Sequence, residues 1–438
     1  MRAIAARRRW RLVGGALFVP EPGVPIGFHG AVEWSRISRL PLPRAAEASI
    51  GRVLTSAEAL RALERRMALD PRAPRLEGWR RLGDVRAWDR AGLVRTPRPG
   101  LYWKVFQLDF HSLYPTIIAR HNLSGETVGA RGCRSEVPEG GAHPVCTDVR
   151  GVVAEVLGGL VSRRAAIKKA LSAAIDTQSG VLRERSEALK WILVSGFGYL
   201  GFRNSLFGSI LAYENVTAIA RRTLLKAERA ARRAGFRIVH SIVDSIFVQP
   251  AGSEAPSPGE LARLIERETG IGVKVEAVYR WLYIPRTLGG VGAGNKYYGL
   301  LEDGGVKVKG VMAVRRDTPR IVARAQRRAI MELAKAERPE SFGEALMEAH
   351  RVLDKASSLL MEGRVGPEDL VIVRRSSIRE ARLYRSSYSS RLAAYVATVR
   401  DLLPVEAGPP RPREIDWEYY AGLIERARRE IPGRPEAP

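Results

Sequence analysis

Asp109 closes an apolar, β-rich run, Lys104-Val105-Phe106-Gln107-Leu108, and the chain then turns through Phe110-His111-Ser112-Leu113-Tyr114-Pro115 toward a helix. Asp244 lies in a similar setting, inside Phe236-Arg-Ile-Val-His-Ser-Ile-Val-Asp-Ser-Ile-Phe-Val-Gln249. A carboxylate among apolar strand residues is costly unless it is paired or metal-bound. Taken singly, an Asp at a strand end also reads as a helix cap. Two of them, with a basic helical stretch between, match two-metal phosphoryl transfer. There, one divalent ion activates an attacking hydroxyl and another steadies a leaving pyrophosphate.

The cations for such chemistry are present. Arg164 and Lys168 are spaced i, i+4 and share one helix face, and Lys190 follows on a returning helix. Each alone reads more readily as a solvated surface cation. The positioning elements are legible around them: a helix from about 155 to 176, a break at Asp176-Thr-Gln-Ser-Gly180, and a second helix to about 195, an αα-hairpin. A further helix is expected over 206–234, and then a β-hairpin turning near Val243-Asp244. Strands are expected to end near Tyr279, to surround Lys296-Tyr297-Tyr298 and to run from Val306 to Val314. Residues 317–403 read as mainly helical and basic, and Trp417–Arg429 as a short helix in a Pro-rich tail. Upstream, Ser56 reads as the N-cap of a helix reaching Met67.

Composition narrows the partner. Lys plus Arg number 72 against 47 Asp plus Glu, a net charge of +25, and the isoelectric point is about 10.6. Such an excess favours a polyanion, nucleic acid first; abundant Arg, Ala and Gly also fit a GC-rich coding bias. No apolar run reaches the roughly 18 residues needed to cross a membrane. Arg7-Arg8-Arg9-Trp10-Arg11 and the apolar Leu12–Val19 sketch a signal peptide, which Pro20 and Pro22 interrupt. The expectation is a cytoplasmic, nucleoid-associated protein with no membrane partner. The two cysteines, Cys133 and Cys146, are too few for a zinc site but could pair.

Several of these segments, in order, resemble the motifs of family B DNA polymerases. Asp109-Phe-His-Ser-Leu-Tyr-Pro-Thr-Ile-Ile118 is similar to D-x-x-S-L-Y-P-S-I-I, and Lys190-Trp-Ile-Leu-Val-Ser-Gly-Phe-Gly198 to K-x-x-x-N-S-x-Y-G. Arg164 and Lys168 match R-x-x-x-K, His240-Ser-Ile-Val-Asp-Ser245 resembles Y-G-D-T-D-S, and Asn295-Lys-Tyr-Tyr298 resembles K-K-R-Y. The resemblance implies an α+β, right-hand polymerase fold without an exonuclease domain. Its expected parts are a reduced N-terminal region (1–95), an antiparallel palm (96–157 and 206–314), helical-hairpin fingers (158–205) and a mainly helical thumb (315–438).

It also implies roles. Asp109 and Asp244 hold two Mg²⁺ ions, with Mn²⁺ as the alternative, and the Phe110 carbonyl completes one site. Ser112, Leu113 and Tyr114 meet the triphosphate and sugar of a deoxynucleoside triphosphate, Tyr114 as the gate against a ribose hydroxyl. Arg164, Lys168 and Lys190 hold phosphates, and Val194 and Phe197 line the nucleotide pocket. Ser245, Lys296, Tyr298, Arg315 and Arg316 touch primer-template DNA. Glu276 matches a carboxylate near the metals and reads equally as a surface strand residue. The Cys133–Cys146 disulfide is implied by the archaeal branch.

Departures from the pattern are informative. Ile242 stands for the first Asp of D-T-D, Val194 and Phe197 for the fingers Asn and Tyr, and Asn295 for the first Lys of K-K-R-Y. Asp89-Arg-Ala-Gly92 is a reduced Y-x-G-G, and no D-x-E motif precedes the palm. Together these resemble a shortened second group of archaeal family B polymerases. Two expectations follow: an active enzyme without proofreading, of low fidelity or acting across lesions, or a catalytically impaired homologue that binds primer-template in an accessory role. The short N-terminal region raises the further expectation of an accessory replication or repair protein, which the sequence does not identify.

Overall fold

The computed structural model describes residues 11–13, 16–19, 26–69, 78–174, 176–375, 392–399, 402–404 and 410–433. Its centre is a six-stranded antiparallel sheet: β1 Gly100–Phe110, β2 Phe236–Ile242, β3 Ser245–Pro250, β4 Val273–Ile284, β5 Tyr297–Leu301 and β6 Val306–Lys309. The order across it is β6-β5-β4-β1-β3-β2. Side chains alternate between faces along a strand, and β1 follows that rule. Phe106, Leu108 and Phe110 join the main core behind the sheet with Ile246 and Val248. Val105 faces the front with Phe247, Tyr279 and Tyr297. Asp109 has the parity of Val105, so it emerges on the front.

The helices sort by what their apolar stripes can reach. α1 (Phe28–Ser38) and α2 (Ile50–Glu64) precede β1, and α3 (Leu113–Arg120) follows it. α4 (Val152–Ser172) and α5 (Asp176–Leu200) form the expected hairpin, and α6 (Ile210–Arg233) and α7 (Pro258–Thr269) back the sheet. α2 begins earlier than its sequence suggested. Ser49, not Ser56, caps it, its hydroxyl accepting from the Arg52 N–H at 3.2 Å. β4 likewise runs on past Tyr279 to Ile284.

The C-terminal lobe is built from α8 (Arg320–Leu333), α9 (Phe342–Met361) and α10 (Trp417–Arg428). Val322, Ala325, Ala329, Ile330 and Leu333 form the buried stripe of α8, at the spacing of one helical face. The lobe is less purely helical than expected. Ile372–Arg375, Leu392–Ala397 and Leu402–Pro404 are strands, and they share a five-stranded sheet with Arg11–Val13 and Ala16–Val19.

Two buried glutamates fasten the helical parts together. Glu33 of α1 is fully buried and accepts from Arg163 of α4 and, at 2.8 Å, from Arg185 of α5. Trp34 adds an indole hydrogen bond to the Ala188 carbonyl at 3.0 Å. At the other end Glu430, 7% exposed, accepts from Lys296 at 2.5 Å, the Met312 N–H at 2.8 Å and Gln326 Nε2 at 2.9 Å.

Candidate active site

The sheet register brings the two acids together. Asp109 on β1 pairs with Ser245 on β3, the residue after Asp244. Ser245 Oγ donates to Asp109 Oδ1 at 2.7 Å, and the Phe110 N–H donates to the Asp244 carbonyl at 2.9 Å. Val243 and Asp244 are the two turn residues between the paired Ile242 and Ser245. Val243 has φ +56°, a conformation that costs a β-branched residue about 1–3 kcal/mol. Its N–H donates to the Leu93 carbonyl at 2.8 Å, which holds the turn in place.

The local hydrogen bonding frees an oxygen between the acids. The Asp244 N–H turns to the Ile242 carbonyl at 2.7 Å and does not return the bond to Phe110. In a strand the N–H and C=O of one residue face the same side, so the Phe110 carbonyl looks toward the Asp244 turn. Asp244 is open to solvent at the mouth of the cleft yet closely walled by protein. Desolvation, and next the charge of Asp109, push its carboxyl up to about 6. Two carboxylates and a carbonyl form an all-oxygen donor set of the kind hard divalent cations prefer. These residues fit Mg²⁺ or Mn²⁺. Among the described residues no group of three or more His, Cys, Asp or Glu side chains is placed to hold a metal.

A cation of the protein itself stands beside Asp109. The β1–β4 ladder slips between Gln107 and Leu108, leaving Glu276 as an extra, bulged residue and setting Lys274 opposite Asp109. Lys274 Nζ lies 3.6 Å from Asp109 Oδ2 and also pairs with Glu276. Lys307 bonds Glu276 at 3.2 Å and the buried Gln107 at 3.0 Å. Glu276 is thus committed to two lysines; burial raises its carboxyl, and these cations carry it below the usual range. Lys274 is 40% exposed and Asp109 23%, so this ion pair leaves the acid open to solvent.

The helical hairpin supplies the facing charge. Arg164 Nε donates to the Ser186 carbonyl at 3.2 Å, tying α4 to α5. Lys168 is lowered by burial and then by the neighbouring charges of Arg164, Lys274 and Lys190, with Asp109 opposing. Hairpin cations and sheet acid are thus within electrostatic reach of one another. Lys190 also touches Glu187 at 3.1 Å. Ser112 opens α3 with φ +49°. Leu113 is 2% exposed, so its side chain belongs to the core and only its backbone can meet a ligand. Val194 is exposed, while Tyr114 and Phe197 stand ring to ring with centroids 4.4 Å apart.

The residues expected on DNA divide. Arg316 is exposed, and Arg315 is held by Asp317 at 2.5 Å. Ser245 is buried and bonded to Asp109, so it orients that acid rather than touching DNA. Tyr298 is fully buried, its hydroxyl donating to the Glu430 carbonyl at 3.1 Å, so it is a joint residue and not a surface contact. Lys296 carries its charge to Glu430 in the same joint, beside a cavity of about 1300 Å³ lined by Arg286, Arg315 and Arg426. Cys133 and Cys146 are disulfide-bonded, their Cα atoms 5.8 Å apart. Sequence reading missed Lys274, whose facing depends on the bulge, and Glu430, whose burial no local pattern signals.

An antiparallel sheet presenting an acid pair beneath a cationic helical hairpin, with a separate C-terminal lobe, defines the right-hand polymerase fold. The family model for DNA polymerase family B matches residues 80–400. The chain belongs to that family. It is 39% identical over 298 residues to DNA polymerase 2 of Saccharolobus solfataricus, covering 68% of this chain and 44% of that one. It is 30% identical over 269 residues to DNA polymerase 1 of Aeropyrum pernix, covering 59% and 27%. The structure of the family B DNA polymerase from Pyrobaculum calidifontis shares the fold, with a TM-score of 0.64 at 24% identity over 93% of this chain and 54% of that one. The chain thus spans less than half the length of these two curated relatives.

Proposed function

We propose that this protein is a DNA-directed DNA polymerase that adds deoxynucleotides to a primer 3′ end with low selectivity. The supporting observation is the sheet register that pairs Asp109 with Ser245, the neighbour of Asp244, with Lys168 of the hairpin within electrostatic reach of Asp109. In this reading Asp109, Asp244 and the Phe110 carbonyl hold the metal ions. When bound there, divalent ions acidify the primer hydroxyl and offset charge on the departing pyrophosphate. Arg164, Lys168 and Lys190 pair with the triphosphate oxygens and orient them. The Tyr114 ring fills the space beside the sugar. The exposed Val194 and the hydroxyl-free Phe197 offer the base no hydrogen bond, so mispaired and damaged templates are rejected weakly. Arg316 and the basic face of the C-terminal lobe bind the duplex by its phosphates. Residues 96–157 and 206–314 act as palm, 158–205 as fingers and 315–438 as thumb.

A second reading, an impaired homologue that still binds primer-template, is favoured by Lys274 at Asp109 and by Ile242 where the family carries a further acid. Primer extension decides. Mg²⁺ or Mn²⁺ is expected to support template-directed extension that Asp109→Ala lowers by at least about 10³-fold. No extension with either ion, alongside retained primer-template binding, would establish the second reading instead.

A further inference from the structure

The nucleotide side of the cleft holds a ring that the motifs above do not include. Tyr213, in the first turns of α6, stacks on Phe197 with centroids 4.4 Å apart and planes 17° apart. Phe197 in turn meets Tyr114 at 4.4 Å and 40°. Three rings from three helices, α3, α5 and α6, therefore form one column with Tyr114 at its cleft end.

Both ends of the column are closed by glycines. A Cβ at Gly201 would sit 2.6 Å from Tyr213 Cδ2, so only glycine lets that ring lie against the end of α5. A Cβ at Gly92 would sit 2.5 Å from the Tyr114 hydroxyl. Tyr114 is thus bounded by Phe197 on one side and by the 89–92 segment on another, and that segment is held by Arg221, which donates to the Arg90 and Ala91 carbonyls. Phe197 has no polar atom with which to fix its ring. Its position rests on packing, and Tyr213 is its nearly parallel partner.

We propose that Tyr213 is a positioning residue for sugar selection: through Phe197 it sets how far the Tyr114 ring can yield to a 2′-hydroxyl. This rests on the polymerase reading. A steric filter rejects a hydroxyl only as firmly as its wall is backed, because a ring free to shift by a fraction of an ångström makes room for the extra atom. Offset aromatic stacking supplies that backing without any group touching the nucleotide.

The test is single-nucleotide insertion of matched deoxy- and ribonucleotides, comparing kcat/KM for each. Tyr213→Leu is expected to lower the deoxy-over-ribo ratio about tenfold, through better ribonucleotide insertion, while Tyr213→Phe, which keeps the ring, preserves it. Gly201→Ala, whose Cβ would sit 2.6 Å from the Tyr213 ring and displace it from its stack on Phe197, is expected to lower the ratio too and covers the case in which Tyr213→Leu does not fold. An unchanged ratio in both variants, with Tyr114→Ala losing discrimination, overturns the proposal and leaves the polymerase reading standing. Absence of extension by the unaltered protein overturns both.

Discussion

The two joints that flank the sheet solve the same problem with different chemistry. At the hairpin side, fully buried Glu33 meets two arginines whose side chains remain 41% and 25% exposed. At the C-terminal side, Glu430 meets one lysine, one amide and one backbone N–H, the last two buried. An exposed guanidinium that loses its carboxylate can return to water. A buried amide or N–H cannot, and pays for the missing acceptor. Loss of the carboxylate is therefore tolerated better at the hairpin joint than at the C-terminal joint.

Removing each acid in turn separates the two joints. Glu430→Ala is expected to cost roughly 3–5 kcal/mol, because it strands Lys296 and two buried donors. Calorimetric unfolding, with hydrogen exchange speeding across α8, α9 and α10, checks it. Glu33→Ala is expected to cost about 2 kcal/mol, since Arg163 and Arg185 rehydrate. Its exchange should quicken in α1, α4 and α5 alone. Equal costs, or exchange spreading through both lobes, would remove the distinction.

The pH dependence of the hairpin side offers a further test. Burial raises the Glu33 carboxyl, but Arg163 and Arg185 outweigh it and leave the group below 4.5. The stability it contributes is present above that value and is lost on acidification. Glu58 of α2 runs the other way. Burial, then the nearby Glu126, push it from 4.5 up to about 8. A group raised in the folded state binds more protons there than in the unfolded chain, so stability falls as pH climbs from 4.5 toward 8. Glu58→Gln is expected to flatten that fall in a series of melting temperatures across this window. A variant whose curve runs parallel to the parent's would exclude it.

What the sequence made legible was what short-range chemistry encodes. Asp109 and Asp244 sit in β-rich runs, and Arg164 and Lys168 share a helix face; each is a local pattern that folding preserved. The palm hairpin turned where Val243-Asp244 indicated. The joints were opaque because their partners lie far apart in sequence, Arg163 with Glu33 and Lys296 with Glu430, and no local signal marks which acid will be buried. Tyr298 misled for that reason: it looks like part of a DNA surface until the distant segment at Glu430 covers it. The strands between 372 and 404 were missed because their pairing partners include residues 16–19, an association no window of neighbouring residues can show.

The bulge at Glu276 carries a lesson about counting. Had the ladder continued unbroken through the same residues, Val275 would oppose Asp109 and the ammonium of Lys274 would face the rear of the sheet. A single supernumerary residue acts like a dislocation in a lattice, resetting odd and even for everything beyond it. The electrical surroundings of the acid are therefore decided by alignment of two strands as much as by the identity of any amino acid, and a substitution table that ignores register would misjudge every position from 273 to 276.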